Sequence, residues 1–208
     1  AVDKLKGPAL DVVKSGEVKF HPARWTDTYT TWMENLKDWC ISRQLWWGHR
    51  IPVFYCEDCG WEDACMDDVH ECPHCHGKHV HQDENVLDTW FSSQLWTFAT
   101  QGWPDHPLVT ARDIIALWVA RMIMSSLYFT KEIPFKDVVI YATILAKDGS
   151  RMSKSKGNGV NPMDLIAKYG ADAMRFNLLT LITNNQDVKF DANIDKRTHK
   201  LVDSPRTE

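Results

Sequence analysis

Apolar residues at Val2, Leu5, Ala9, Val12 and Val13 recur at the three- and four-residue intervals that place them on one side of a helix, and Gly16 ends the pattern. Val18 to Phe20 reads as a short strand before Pro22, a second helix is expected from Trp25 to Lys37, and Val53-Phe54-Tyr55 is strand-like. Thr110-Ala111-Arg112-Asp113 has capping-box spacing, and Ile114, Leu117, Trp118, Arg121, Met122 and Ser125 come after it at helical intervals. A helix over about 110–128 is therefore predicted. Val138 to Leu145 is an unbroken, largely β-branched run, which predicts a strand covered on both faces, closed by the turn residues Asp148-Gly149. Asn161-Pro162 offers a cap and a first-turn proline for a helix stopping near Gly170, and another helix is expected from Asp172 to Thr183. Strands alternating with helices imply an α/β fold on a parallel sheet.

Residues 56–82 break this pattern, with little apolar periodicity and many charged and histidine side chains. Such a segment cannot build a core unaided, so the expected organisation is an α/β segment at 1–55, an insertion at 56–82, a second α/β segment at 83–185, and a polar linker at 186–208. The 208 residues are 44% hydrophobic and 25% charged, a balance too apolar for disorder. A net charge of -4 excludes capture of nucleic acid by a global positive field, leaving only local patches for that purpose. No run approaches about 18 apolar residues and charges are spread through residues 1–30, so neither a membrane span nor a secretion signal is expected. A cytoplasmic setting is the resulting expectation. Ten tryptophans lead us to expect indoles mainly in the core.

Five of the six cysteines fall between residues 56 and 75, a clustering that points to a metal rather than to secreted disulfides. Cys56-x-x-Cys59 and Cys72-x-x-Cys75 form two knuckles able to give four thiolates to one tetrahedral Zn²⁺, with Cys65, His70, His74, His76, His79 and His81 as alternative ligands. A closed four-ligand site leaves no position for water, so its role is expected to be structural. The second motif, Arg151-Met152-Ser153-Lys154-Ser155-Lys156-Gly157-Asn158, comes directly after the long apolar run and its turn. Three cations on a loop of small residues suit the stabilisation of phosphate oxygens.

With Lys in place of Arg151, this loop resembles the mobile signature loop of class I aminoacyl-tRNA synthetases, and Gly170-Ala171-Asp172-Ala173-Met174-Arg175-Phe176 resembles the segment C-terminal to that loop in the family. Asp38 to Gln44 with Trp46 to Pro52 resembles the valyl, isoleucyl and leucyl branch. Asp88-Thr89-Trp90-Phe91-Ser92-Ser93 and Arg112 to Met122 are similar to the valine-specific members, although the connection between Trp103-Pro104 and Val109-Thr110 is shorter than that pattern. The resemblance implies half of a Rossmann-like nucleotide-binding domain with a zinc-knuckle insertion, and a fragment of an enzyme that activates valine with ATP and Mg²⁺ and transfers it to tRNA(Val).

By position, Lys154 matches the lysine that neutralises the triphosphate, Arg151 the first basic residue and Ser153 an ATP-binding position of the same loop. Trp90 and Trp118 match the aromatic walls of the amino-acid pocket. Ile114, four residues before Trp118, is expected on the same helical face as pocket or plain core. Asp113 matches the carboxylate that binds the adenosine ribose, against the alternative of a helix-start residue paired with Thr110. Arg43, Trp47 and Arg50 receive no role. The H-I-G-H signature of the family has no counterpart, since His76-Gly77-Lys78-His79 lies among the cysteines without a preceding strand. The chain is thus expected to lack the N-terminal half of the catalytic domain and to be inactive alone. The alternatives are an isoleucyl-specific fragment, or a zinc-ribbon module that binds RNA or protein through Arg43, Lys147, Arg151, Lys154 and Lys156.

Overall fold

The computed structural model describes residues 2–100, 106–153, 155–182 and 187–190. In chain order these form α1 (Val2–Lys14), β1 (Lys19–His21), α2 (Trp25–Glu34), β2 (Ser42–Arg43), β3 (Val53–Cys56), β4 (Glu62–Ala64), β5 (Val80–Gln82) and β6 (Val86–Leu87). They continue with α3 (Thr89–Ser93), α4 (Trp96–Ala99), β7 (Leu108–Ala111), a 3₁₀ turn (Arg112–Ile114), a π-helical turn (Ile115–Val119) and α5 (Ala120–Phe129). The chain ends in β8 (Asp137–Tyr141), β9 (Ile144–Leu145), α6 (Pro162–Tyr169), α7 (Ala171–Leu181) and β10 (Val188–Lys189). Strands β1, β8 and β7 form a sheet in that order. The fold is mixed α/β, with a parallel pair between β9 and β10 (Val188 opposite Ile144, Lys189 opposite Leu145).

The chain divides into two compact units. The first comprises residues 1–19, 26–108 and 113–138. Its core joins the apolar stripe of α1 (Ala9, Leu10, Val13) to Tyr29 and Met33 of α2 and to Met122 and Ile123 of α5. Tyr29 is fully buried and its hydroxyl donates to the Ala9 carbonyl at 2.8 Å, so the ring contributes apolar area without leaving its polar tip orphaned. The same unit carries the antiparallel β4-β3-β5 sheet and the antiparallel β2-β6 pair.

The second unit comprises residues 20–25, 109–112 and 139–208. In it α6 begins where Asn161 accepts from the Met163 N–H at 3.0 Å, with Pro162 at the first position. It ends at Gly170, whose φ of +85° lets the chain turn directly into α7.

Four expectations are corrected. Thr110 is buried within β7 rather than capping a helix, so there is no capping box. The helical segment starts as a 3₁₀ turn at Arg112 and passes through a π turn before α5. The Val138–Leu145 run is broken at Ala142-Thr143, and β8 alternates buried Val138 and Ile140 with more open neighbours, so one face rather than two is covered. Among the described residues no tryptophan belongs to the fully buried core, and Trp46 and Trp47 are 99% and 88% exposed. Residues 187–190, at the start of the expected linker, instead contribute β10, because Val188 and Phe190 donate to the Thr143 and Leu145 carbonyls.

Candidate functional site

The cysteine cluster lies in the first unit at the end of β3. Cys56 closes that strand, and the turn after it places Cys59 by bonding the Gly60 N–H to the Cys56 carbonyl at 2.9 Å, with Gly60 at φ +71°. The second knuckle repeats the arrangement, since the His76 N–H reaches the Cys72 carbonyl at 2.9 Å. The four thiols are free, and their sulfurs all lie within 4.8 Å of one another. Two pairs are closer, Cys56 to Cys75 at 3.6 Å and Cys59 to Cys72 at 3.7 Å. A regular tetrahedron with metal–sulfur bonds of about 2.3 Å has edges of about 3.8 Å, so the donor set fits one tetrahedral ion.

Backbone N–H groups point at the sulfurs as well, His74 to Cys72 and Gly77 to Cys75, both at 3.4 Å. At Cys72 burial disfavours the thiolate, but the Cys75 and His74 amides with the neighbouring thiols outweigh it and bring the thiol down to about 7. At Cys75 the Gly77 amide favours ionisation, yet the crowded sulfurs and burial push the thiol up to about 12. Four thiols this close cannot all ionise unless a cation shares the charge. His76 and His79 turn away to carboxylates, Glu71 at 3.1 Å and Asp58 at 2.8 Å, rather than joining the sulfurs.

The two candidate pocket indoles also lie in the first unit. Asp88 caps α3 by accepting the Trp90 N–H at 2.7 Å, and its second carboxylate oxygen pairs with Arg43. Arg43 is held in turn by the Cys40 and Ser42 carbonyls, each at 2.7 Å. Trp90, Trp47, Asp88, Arg43 and His49 line a cleft of about 510 Å³. Trp118 is half-buried outside that lining and donates its indole N–H to the carbonyl of Ser93, the last residue of α3, at 3.0 Å. Both indoles are thereby tied to one short helix.

Ile114 is half-buried and ends the 3₁₀ turn, whereas Trp118 lies within the π turn, where the Ala120 N–H reaches back to the Ile115 carbonyl. The α-helical spacing that would set them on one face does not apply, because the backbone between them is not α-helical. Asp113 sits in the middle of the 3₁₀ turn with an exposed side chain. Trp90 is the second residue of α3. Arg50 donates to the Gln82 and Asp83 carbonyls, which gives it a structural use.

The cationic loop lies in the second unit. Asn158 organises it: its carboxamide oxygen accepts the Ser153 N–H at 2.9 Å, and its nitrogen donates to the Ser150 hydroxyl at 3.1 Å and to the Arg151 carbonyl at 3.2 Å. Arg151 forms a β-bridge with Leu145, which fixes where the loop leaves the sheet. Lys154 lies outside the described residues. Asn158 was visible in the sequence only as part of a motif, and its role as the clamp of the loop comes from these bonds.

A family model described as tRNA synthetases class I (I, L, M and V) matches residues 1–191. The chain belongs to this family of aminoacyl-tRNA ligases. It is 54% identical over 198 residues to a valine-tRNA ligase of Clostridium tetani, an alignment covering 90% of this chain and 22% of that protein. With the valine-tRNA ligase of Treponema denticola it shares 52% over 208 residues, 95% of this chain and 23% of that protein. The chain therefore spans somewhat over a fifth of the length of these curated relatives. Its fold is that of solved synthetases. The LeuRS of Agrobacterium radiobacter, determined in a ternary complex with tRNA and LeuAMS, superposes with a TM-score of 0.63 at 20% identity, over 75% of this chain and 26% of that one. The methionyl-tRNA synthetase of Mycobacterium tuberculosis, in complex with methionyl-adenylate, gives 0.58 at 20% identity over 91% and 33%. Among the described residues no helix is long and apolar enough to cross a membrane.

Proposed function

We propose that this chain supplies the C-terminal part of the catalytic domain of a cytoplasmic valine-tRNA ligase. In the overall reaction a valine carboxylate oxygen attacks the α-phosphorus of ATP and pyrophosphate leaves with the displaced bond. A hydroxyl of the tRNA(Val) terminal ribose then takes the valyl group and AMP departs. The observation that carries the assignment is the bond from the Trp118 indole to the Ser93 carbonyl, which anchors this aromatic side chain to the helix that carries Trp90. Two indoles tied to one short helix, Trp90 on the cleft and Trp118 beside it, support a reading in which both bound a small branched side chain. The relatives at about half identity carry the name of the valine enzyme, which supports valine over isoleucine.

The remaining roles come from the family resemblance. Arg151 and Lys154 neutralise the triphosphate as charge shifts onto the leaving pyrophosphate, with Mg²⁺ accompanying the ATP, and Ser153 contacts the same phosphates. A guanidinium at 151 keeps the charge of the usual lysine while offering a planar fork. Asp113 accepts from the ribose, and Ile114 narrows the amino-acid pocket. Cys56, Cys59, Cys72 and Cys75 hold one structural Zn²⁺, which supplies local folding energy and no catalysis.

The test is equilibrium binding of a sulfamoyl analogue of valyl-adenylate to the ¹⁵N-labelled chain, read at the tryptophan indoles. The valyl compound should shift the Trp90 and Trp118 resonances and the isoleucyl compound should bind more weakly. Binding that leaves both indole resonances unmoved refutes the assignment.

A further inference from the structure

A second cavity in the first unit, about 560 Å³, does not include Trp90 and has its own charged group. Its walls are mainly apolar, with Trp32, Leu36, Phe91, Met124 and Phe129 around the guanidinium of Arg121. Arg121 lies in the first turn of α5 and is only 8% exposed. Its guanidinium carbon sits 3.5 Å from the centroid of the Trp39 ring, so one face of the plane is covered by an indole and the fork is held in one orientation. Its Nη1 is buried with no hydrogen-bond partner.

An unmet donor on a buried cation is costly, because the water it gave up is not replaced. The neighbouring carboxylate does not supply the missing acceptor. Asp88 already gives one oxygen to the Trp90 N–H and the other to Arg43. Two guanidinium groups therefore share one carboxylate, and a positive charge is left over. Burial accordingly holds Arg121 below the usual arginine range, with Asp88 opposing that effect and Arg43 adding to it. The other charged residues on the cavity do not cancel the surplus. Lys4 and Lys37 add two exposed cations against the one exposed carboxylate of Asp38, so the lining stays net positive.

We propose that this cavity is a binding site for a monocarboxylic acid with an aromatic or branched aliphatic body, its carboxylate received by the guanidinium of Arg121 and its body by the indole and phenyl walls. The one surplus charge of the Arg43, Asp88 and Arg121 group matches one carboxylate, whereas a phosphate dianion would bring a second charge onto walls that are mainly apolar. A planar two-oxygen acceptor also suits a planar fork. The volume falls within the range of about 300–1,000 Å³ typical of small-molecule sites. This site is independent of the adenylate reading, since none of its anchoring groups is assigned to valine or ATP.

The test uses 3-phenylpropionate and its uncharged counterpart 3-phenyl-1-propanol, titrated into the chain with the Trp39 indole resonance and calorimetry as readouts. The acid should saturate one site and bind at least about tenfold more tightly than the alcohol, as expected for a desolvated charge-assisted hydrogen bond. Arg121→Met should abolish that preference while leaving alcohol binding in place, and a saturating valyl-adenylate analogue should not displace the acid. Equal affinity for acid and alcohol in the unmodified chain, absence of acid binding, or displacement by the adenylate analogue would each overturn the proposal. The wild-type comparison decides even if the Met variant does not fold.

Discussion

Asp88 is where a single side chain does two separable jobs, and replacing it tests the account of the Trp90 wall. Asp88→Ala removes the acceptor of the Trp90 N–H, a helix cap worth about 1 kcal/mol. It also removes the partner of Arg43. That pair joins a carboxylate side chain 11% exposed to a guanidinium 37% exposed, and Arg43 keeps its two carbonyl acceptors, so solvent and these bonds limit the loss to about 1–2 kcal/mol. The combined cost should be about 2–3 kcal/mol. Asp88→Asn keeps a good capping oxygen and forfeits only the charge, so it should cost about 1 kcal/mol less than the alanine variant. Urea unfolding followed by circular dichroism measures both, and amide exchange at Trp90 reports the cap directly. Exchange should accelerate in the alanine variant and stay slow in the asparagine variant. If the two variants are equally destabilised, or the Trp90 amide is unaffected by alanine, the cap is not what holds that wall and the reasoning fails.

Metal analysis should return about one zinc per chain, and Cys59→Ser should lower it and speed amide exchange across residues 56–82 while sparing α1 and α5; full metal retention would show that the ligand set is wrong. Asn158→Ala removes three bonds within the cationic loop, so exchange at the Ser153 amide should rise about tenfold or more, the equivalent of one or two net hydrogen bonds; an unchanged rate would refute the clamp. The Ser150 hydroxyl and amide hold the Asp148 carboxyl below its ordinary value. A depressed value means that the turn is favoured above the unfolded carboxylate range near about 3.9 and loses that support as pH falls through the folded value. Exchange at Ser150, corrected for its intrinsic pH dependence, should therefore accelerate below about pH 4, and Asp148→Asn should flatten the profile.

Local signals located what local physics controls. Asn161-Pro162 and Gly170 bound α6 as expected because a cap, a fixed φ and a positive φ are properties of a few neighbouring residues. The paired C-x-x-C spacing was equally legible, since each knuckle closes on itself through bonds such as that from His76 N–H to the Cys72 carbonyl. The Thr110-x-x-Asp113 spacing misled for the complementary reason. The same four residues satisfy a capping pattern and a strand end, and burial of Thr110 in β7 selects the strand. The adjoining π turn carries Trp118, yet a shift from one carbonyl to the next leaves no trace in apolar periodicity read at 3.6 residues per turn.

The amino-acid sequence by itself determined the bounds of α6, the four thiols, the cationic loop and the family, all of which depend on residue identity over short spans or on an ordered series of motifs. Only the tertiary structure decided that Trp118 bonds to the end of α3, that Asp88 is shared between Trp90 and Arg43, and that Arg121 is left with an unanswered donor against Trp39. Apart from the Asp88 cap itself, those outcomes join residues far apart in the chain. Which groups meet, and which charge goes unpaired, is set by how packed elements compete for the same buried acceptors rather than by any residue's neighbours in sequence.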